Sequence, residues 1–163
     1  GGAMIINGQL FSGHFGLGGE LGVFPMLIDG KVKNWEDIAS TSAMVNQYRE
    51  QSPHKEKEVN GKYIVQQYLQ DEPLAIEVMN LFTHRIGMGI AGYINIFNPE
   101  RVIIGGGISE AGDFFMEKIK SYLPQYALKP CLQQVEIVRA KLGNRAGLIG
   151  AGMYGLLEQQ VLK

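Results

Sequence analysis

Cysteine is almost missing from this chain. Cys131 is the single one in 163 residues, so no internal disulfide can form, and no histidine partner stands near it to suggest a four-ligand zinc site. A reducing compartment fits that usage. An excess of charge of either sign is missing too: fifteen Lys and Arg face sixteen Asp and Glu, a formal balance of −1, and no basic run is present. That removes the electrostatic footprint of a nucleic-acid binder. No apolar stretch approaches the roughly 20 residues that span a bilayer, so a membrane protein is not expected. The opening residues, Gly1-Gly2-Ala3-Met4-Ile5-Ile6, carry neither the charged start nor the long apolar centre of a secretion signal, and they do not begin on Met. The sequence reads as a trimmed chain, long enough for one domain.

Glycine is what the chain has in excess. It supplies 22 of 163 residues, about 13% against a usual share of about 7%, while the hydrophobic share of 45% is ordinary. Much of the glycine lies in three places: between Ser12 and Gly22, in the triplet Gly105-Gly106-Gly107, and in a small-residue stripe from Gly143 to Gly155.

The patterning predicts an α/β domain. Two short apolar runs about Asn7-Gly8 predict a tight hairpin. A strand near Val23 to Ile28 ends at the turn Asp29-Gly30, and Asn34 is placed to cap a helix running from Trp35 through Met44 or beyond. The stretch from Gln51 to Gly61, which includes His54-Lys55-Glu56-Lys57-Glu58, reads as a solvated loop. A short helix over Tyr63 to Leu69 follows, then a long one opened by Asp71 as N-cap with Pro73 in its first turn, apolar around most of its surface and ending before Asn98-Pro99. Arg101 to Ile104 reads as a strand, with the glycine triplet and a helix after it. Val135 to Val138 reads as a second strand, and a last helix runs to about Gln159. Two late strands joined by crossover helices give a layered α/β arrangement.

Two constellations could carry chemistry. Three glycines at the end of a strand let backbone approach a ligand with no Cβ in the way, and a helix beginning there would aim N–H groups and its positive end at an anion. A nucleotide site and a plain tight turn both fit; a Walker loop and a dinucleotide fingerprint do not, for lack of the lysine and of the spacing. The other constellation is Glu20 within Gly18-Gly19-Glu20-Leu21-Gly22, where a carboxylate could accept hydroxyl hydrogen bonds or simply face solvent. Glu36 fits a first-turn acid that complements a helix dipole. His14, His84 and Cys131 assemble into no catalytic or metal-ligating set.

Four segments, taken in order, resemble the C-terminal half of the ROK family of repressors, open reading frames and kinases: Gly1 to Gly13, Gly18-Gly19-Glu20-Leu21-Gly22, Asn98-Pro99-Glu100-Arg101-Val102-Ile103-Ile104-Gly105-Gly106-Gly107-Ile108-Ser109, and Leu142-Gly143-Asn144-Arg145-Ala146-Gly147-Leu148-Ile149-Gly150-Ala151. The resemblance implies that residues 1–163 form a single C-terminal lobe of a ribonuclease-H-like, actin-like sugar kinase, lacking the lobe's first strand. ATP with Mg²⁺ and a sugar would be its ligands. Gly105, Gly106, Gly107 and Ser109 would match the adenosine loop, Gly1 and Gly2 the tail of a phosphate loop, and Glu20 and Glu36 the two sugar-contacting glutamates.

The chain departs from the family pattern in two ways. Val23 stands where the family has a zinc-ligating histidine and its cysteines are absent, so no zinc is expected; the chain then resembles the zinc-less members related to β-glucoside kinases, with a hexose or a β-glucoside as substrate. The family's catalytic aspartate and first phosphate loop belong to an N-terminal lobe missing here, so the chain alone should be inactive, with no catalytic residue of its own. A homodimer is the family expectation, and a cytoplasmic location is expected from the absent secretion signal and the need for ATP. The alternatives are the effector domain of a sugar-sensing repressor and a non-catalytic oligomerisation module.

Overall fold

The structure, a computed structural model, describes residues 1–53 and 58–161. The chain divides into two compact units, Gly1–Ile90 and Ala91–Lys163.

The first unit opens on an antiparallel hairpin of β1 (Ile5–Ile6) and β2 (Gln9–Leu10). Asn7 and Gly8 turn it with φ of 53° and 77°, the left-handed pair that a two-residue hairpin turn requires. After the glycine-rich loop a 3₁₀ turn occupies Leu21–Val23, so the strand expected from Val23 starts two residues later, as β3 (Pro25–Ile28). Asp29-Gly30 repeats the left-handed pair, with φ of 51° and 73°, and folds β3 onto a strand the patterning did not predict, β4 (Lys31–Asn34). Lys-Val-Lys-Asn reads as polar because most of this strand is exposed.

The helix expected from Trp35 through Met44 is in fact two. α1 (Trp35–Ala39) stops at Ser40, whose extended backbone, with φ −88° and ψ 159°, starts α2 (Thr41–Gln51) with its hydroxyl accepting from the Ala43 N–H at 3.2 Å. Of the polar stretch that follows, His54 to Lys57 lie outside the described residues. α3 (Gly61–Tyr68) is capped by Asn60, whose side chain accepts from the Tyr63 N–H at 3.0 Å.

α4 (Pro73–Phe97) is the long helix. Its cap is Glu72, not Asp71: the Glu72 carboxylate accepts from the N–H groups of Leu74 at 3.2 Å and Ala75 at 2.6 Å. Asp71 is the left-handed corner before it, with φ of 58°. The core of the first unit is Ile38, Met44, Tyr48, Val59, Ile64, Ala75, Val78, Met79, Phe82 and Ile86.

In the second unit α4 ends at Asn98, φ 43°, with Pro99 behind it as a stop. The Asn95 side chain donates to the Tyr126 carbonyl at 2.9 Å and accepts from the Leu128 N–H at 2.8 Å, which ties the end of the helix to a distant loop. β5 (Arg101–Ile104) is followed by a 3₁₀ turn over Gly107–Ala111, by α5 (Asp113–Tyr122) and by α6 (Lys129–Gln134), which Pro130 starts and the patterning missed. β6 (Glu136–Arg139) then returns parallel to β5, pairing Arg101 with Glu136 through Ile104 with Arg139. Among the described residues these two strands pair only with each other. α7 (Ala146–Val161) closes the chain. Of its small-residue stripe, Gly147 has no atom within 4 Å of where a Cβ would be and Ala151 is exposed, whereas Gly143, before the helix, lies against the Glu110 carboxylate. Phe115, Met116, Ile119, Leu123 and Ile137, with Ala91 and Ile94, form the second core.

Candidate functional site

Two glutamates border one turn of the first unit. The glycine loop closes on itself, with the Gly18 N–H donating to the Ser12 carbonyl at 2.8 Å and Gly13 and Gly18 too close for a Cβ on either to fit freely. Beyond it, Gly19 lies on the backbone of Ala3, and Leu21 covers Gly2, so the segment holding Gly2 and the turn holding Glu20 adjoin. Glu20 is exposed and stands at the start of the 3₁₀ turn Leu21–Val23. Glu36, in the first turn of α1, lays its carboxylate over the centre of the same turn: a Cβ on Gly22 would stand 2.7 Å from Glu36 Oε2. A side chain on Gly22 would have to displace the Glu36 carboxylate.

α1 is anchored through its first residue. The Trp35 N–H donates to the Phe24 carbonyl at 2.8 Å, and its indole Nε1–H donates to the Arg85 carbonyl of α4, also at 2.8 Å. The ring lies where a side chain on Gly89 would be. The Arg85 guanidinium donates to Gln47 Oε1 at 3.2 Å and reaches the Ile38 carbonyl at 3.5 Å, joining α4 to α2 and α1. Burial pulls the Arg85 pKa down from its ordinary value, with the Asp29 charge opposing. Asp37 accepts from the Asn34 N–H at 3.2 Å at the helix start. An open hollow of about 340 Å³ adjoins Glu36 and is lined also by Asp37, Ser40, Ser42, Ala43 and Asn46. The sequence pointed to Glu20 and Glu36 but not to Trp35, Arg85 and Gly89, which anchor α1; the signal was one tryptophan and one mid-helix glycine, and only the fold brings the two together.

The second unit holds the glycine triplet. Gly105, Gly106 and Gly107 are exposed at the carboxyl end of β5, the end of a parallel strand where α/β proteins place ligands. The expected helix does not begin there. A 3₁₀ turn intervenes and α5 starts only at Asp113, so the positive end of a helix is not aimed from the triplet. Gly106, at φ 87° and ψ 167°, and Gly112, at φ 127° and ψ 178°, hold conformations essentially restricted to glycine, and these bracket the turn. Ser109 is completely buried; its hydroxyl donates to the Gly106 carbonyl at 2.7 Å. It therefore faces inward, away from any ligand of the loop. The next residue, Glu110, sets its carboxylate against Gly143, φ 52°, in the 3₁₀ turn Gly143–Arg145 after β6.

Gly1 is exposed, with nothing within 4 Å of where a Cβ would stand. His14 stacks edge to face on Phe15 at 6.0 Å. Among the described residues no group of three or more His, Cys, Asp or Glu could hold a metal ion, and no helix is long and apolar enough to cross a membrane.

The model of the ROK family matches residues 1–156. A glucokinase of Halalkalibacterium halodurans is 30% identical over 98% of this chain and 53% of its own length. A putative xylose repressor of Caldicellulosiruptor is 29% identical over 92% of this chain and 42% of its own length. Among solved structures, a ROK family protein from Streptococcus pneumoniae in complex with sucrose matches with a TM-score of 0.84 and 31% identity, covering 98% of this chain and 55% of that one. A ROK family glucokinase from Streptomyces griseus in complex with glucose and AMPPNP matches with a TM-score of 0.78 and 26% identity, over 91% and 55%. The chain spans about half the length of the curated relatives it matches.

Proposed function

Because the chain belongs to the ROK family, we propose that it is the C-terminal lobe of an ATP-dependent sugar kinase that phosphorylates a hydroxyl of a hexose or β-glucoside. Its α/β fold is the actin-like fold of the ROK sugar kinases, which it matches over about half their length. The observation that carries the reading is the pair of glutamates at one turn, Glu20 before it and the Glu36 carboxylate over Gly22. Ionised carboxylates are acceptors only, and two of them at one turn suit a ligand rich in hydroxyl donors.

In this reading Glu20 and Glu36 bind and orient the sugar. Gly105, Gly106 and Gly107, with Gly1 and Gly2, bring backbone close to the nucleotide, and Mg²⁺ neutralises its phosphates. The sucrose complex of the Streptococcus pneumoniae protein and the glucose and AMPPNP complex of the Streptomyces griseus enzyme support the ligand classes. Phosphoryl transfer needs the attacking hydroxyl oriented and deprotonated and the phosphate charge neutralised. The family pattern places the aspartate base and the first phosphate loop on an N-terminal lobe, so the 163 residues alone turn over nothing. The working protein is a cytoplasmic homodimer of two-lobed chains.

The test is to produce the chain together with the N-terminal lobe of a ROK kinase and to measure ADP release with Mg-ATP over a panel of free hexoses and β-glucosides. Sugar-dependent release that requires both lobes supports the kinase and names its substrate. The xylose repressor among the relatives favours a second reading, a sugar-sensing effector domain. Sugar binding without ADP release from the associated lobes would favour it, and binding of neither sugar nor nucleotide would leave a non-catalytic module.

A further inference from the structure

We infer that Ser109 is a positioning residue, which acts on a nucleotide by turning the Gly106–Gly107 peptide so that its N–H faces the ligand side of the glycine loop. The inference rests on the reading of Gly105 to Gly107 as a nucleotide loop. Three observations carry it. Ser109 is completely buried, out of reach of a ligand. Both of its donors converge on one acceptor: the hydroxyl reaches the Gly106 carbonyl at 2.7 Å and the backbone N–H reaches it at 3.1 Å. Gly106 and Gly107 are themselves exposed.

The consequence follows from peptide geometry. A trans peptide is planar, and its C=O and N–H point in opposite directions. Drawing the Gly106 carbonyl inward therefore directs the Gly107 N–H outward, as a fixed donor for an oxygen of the nucleotide. Gly106, at φ 87° and ψ 167°, is in a region open to glycine alone, and with no side chain to resist rotation the peptide plane needs an external hold. Ser109 supplies it from beneath.

The experiment measures AMPPNP binding to the chain produced together with the N-terminal lobe of a ROK kinase, well below the melting temperature, for the natural sequence and for Ser109→Ala, Ser109→Cys and Ser109→Thr. Cysteine keeps the buried volume but is a weak donor, whereas threonine keeps the hydroxyl. The loss of one such hydrogen bond should raise Kd roughly five- to tenfold in the alanine and cysteine variants, with threonine close to the natural sequence. The Gly107 amide resonance should move when AMPPNP binds the natural chain, which needs no variant to fold. A Ser109 with a merely structural role would lower the melting temperature and leave Kd and the threonine rescue unaffected. Equal affinity of the cysteine variant and the natural chain, or a Gly107 resonance that ignores bound AMPPNP, overturns the inference and leaves the nucleotide loop standing. No AMPPNP binding by the natural chain overturns the loop reading and the inference with it.

Discussion

Alanine at position 89 should weaken this fold, although the same exchange strengthens an ordinary helix. Within a helix Gly→Ala gains about 1 kcal/mol. At Gly89 the new methyl would stand 2.5 Å from Trp35 Nε1 and 2.6 Å from Trp35 Cζ2. The ring has little freedom to give way, because its N–H is fixed at 2.8 Å on the Arg85 carbonyl, one helical turn before Gly89. Overpacking costs about 1–3 kcal/mol, and displacement of the indole loses a hydrogen bond of about 1 kcal/mol. The net expectation is a loss of about 1–3 kcal/mol. Gly92→Ala, one turn further along α4, is the control: nothing lies within 4 Å of its added Cβ, so the full helical gain of about 1 kcal/mol should appear. Trp35 is the single tryptophan, so its emission in a urea titration reports both the unfolding and any movement of the ring. A Gly89→Ala chain as stable as the natural one, with unshifted emission, would refute the packing argument.

Three further outcomes are expected. Ser40→Ala should cost about 1 kcal/mol by thermal melting, since it removes the cap on the Ala43 N–H, and Ser40→Asp should restore most of it. The Tyr48 phenol is pushed up to about 12 by burial first and then by the Glu72 carboxylate, whose Oε2 accepts from its hydroxyl at 3.3 Å. The fold thus favours the neutral phenol; that contribution is whole below the unfolded value near 10 and is lost as pH rises through about 12. Urea midpoints between pH 9 and 12 should fall accordingly, and Tyr48→Phe should flatten the fall. In the reconstituted kinase, Glu36→Ala should raise the sugar KM roughly 10- to 100-fold, the worth of a hydrogen bond to a charged group, while the KM for ATP stays as it was.

The parts legible in the sequence were those set by local chemistry. Asn7-Gly8 announced its hairpin because the left-handed turn it forms is a property of two residues. α4 was legible because its apolar period runs for 25 residues, and Asn98-Pro99 ends it. β4 was not legible, since an exposed strand of Lys-Val-Lys-Asn owes its existence to pairing with β3. The break at Ser40 was in principle readable, because Ser-Thr-Ser inside a helical period is capping chemistry, but Ile38 and Val45, seven apart, keep the period across it. The same division holds at the site. Motif resemblance pointed to Glu20, Glu36 and the glycine triplet, whereas the inward turn of Ser109 and the Trp35 anchor depend on contacts between residues distant in sequence or hidden beneath a loop.

Asn7, Asp29, Asp71 and Asn98 are left-handed corners, and in each case an asparagine or aspartate stands where most side chains would be strained. They make the lineage tolerant of spelling changes and intolerant of changes in length. Exchange among Asn, Asp and Gly leaves each corner in place. Deletion of Asn7 instead slides Ile6 into the turn, deletion of Asp29 brings Ile28 there, and deletion of Asn98 brings Phe97, each at a cost of about 1–2 kcal/mol and with the neighbouring strand or helix shifted out of phase. Insertions and deletions inherited by this family of chains should therefore fall away from these four positions, and homologues aligned to it should keep the intervals on either side of each corner even where little else of the local sequence remains.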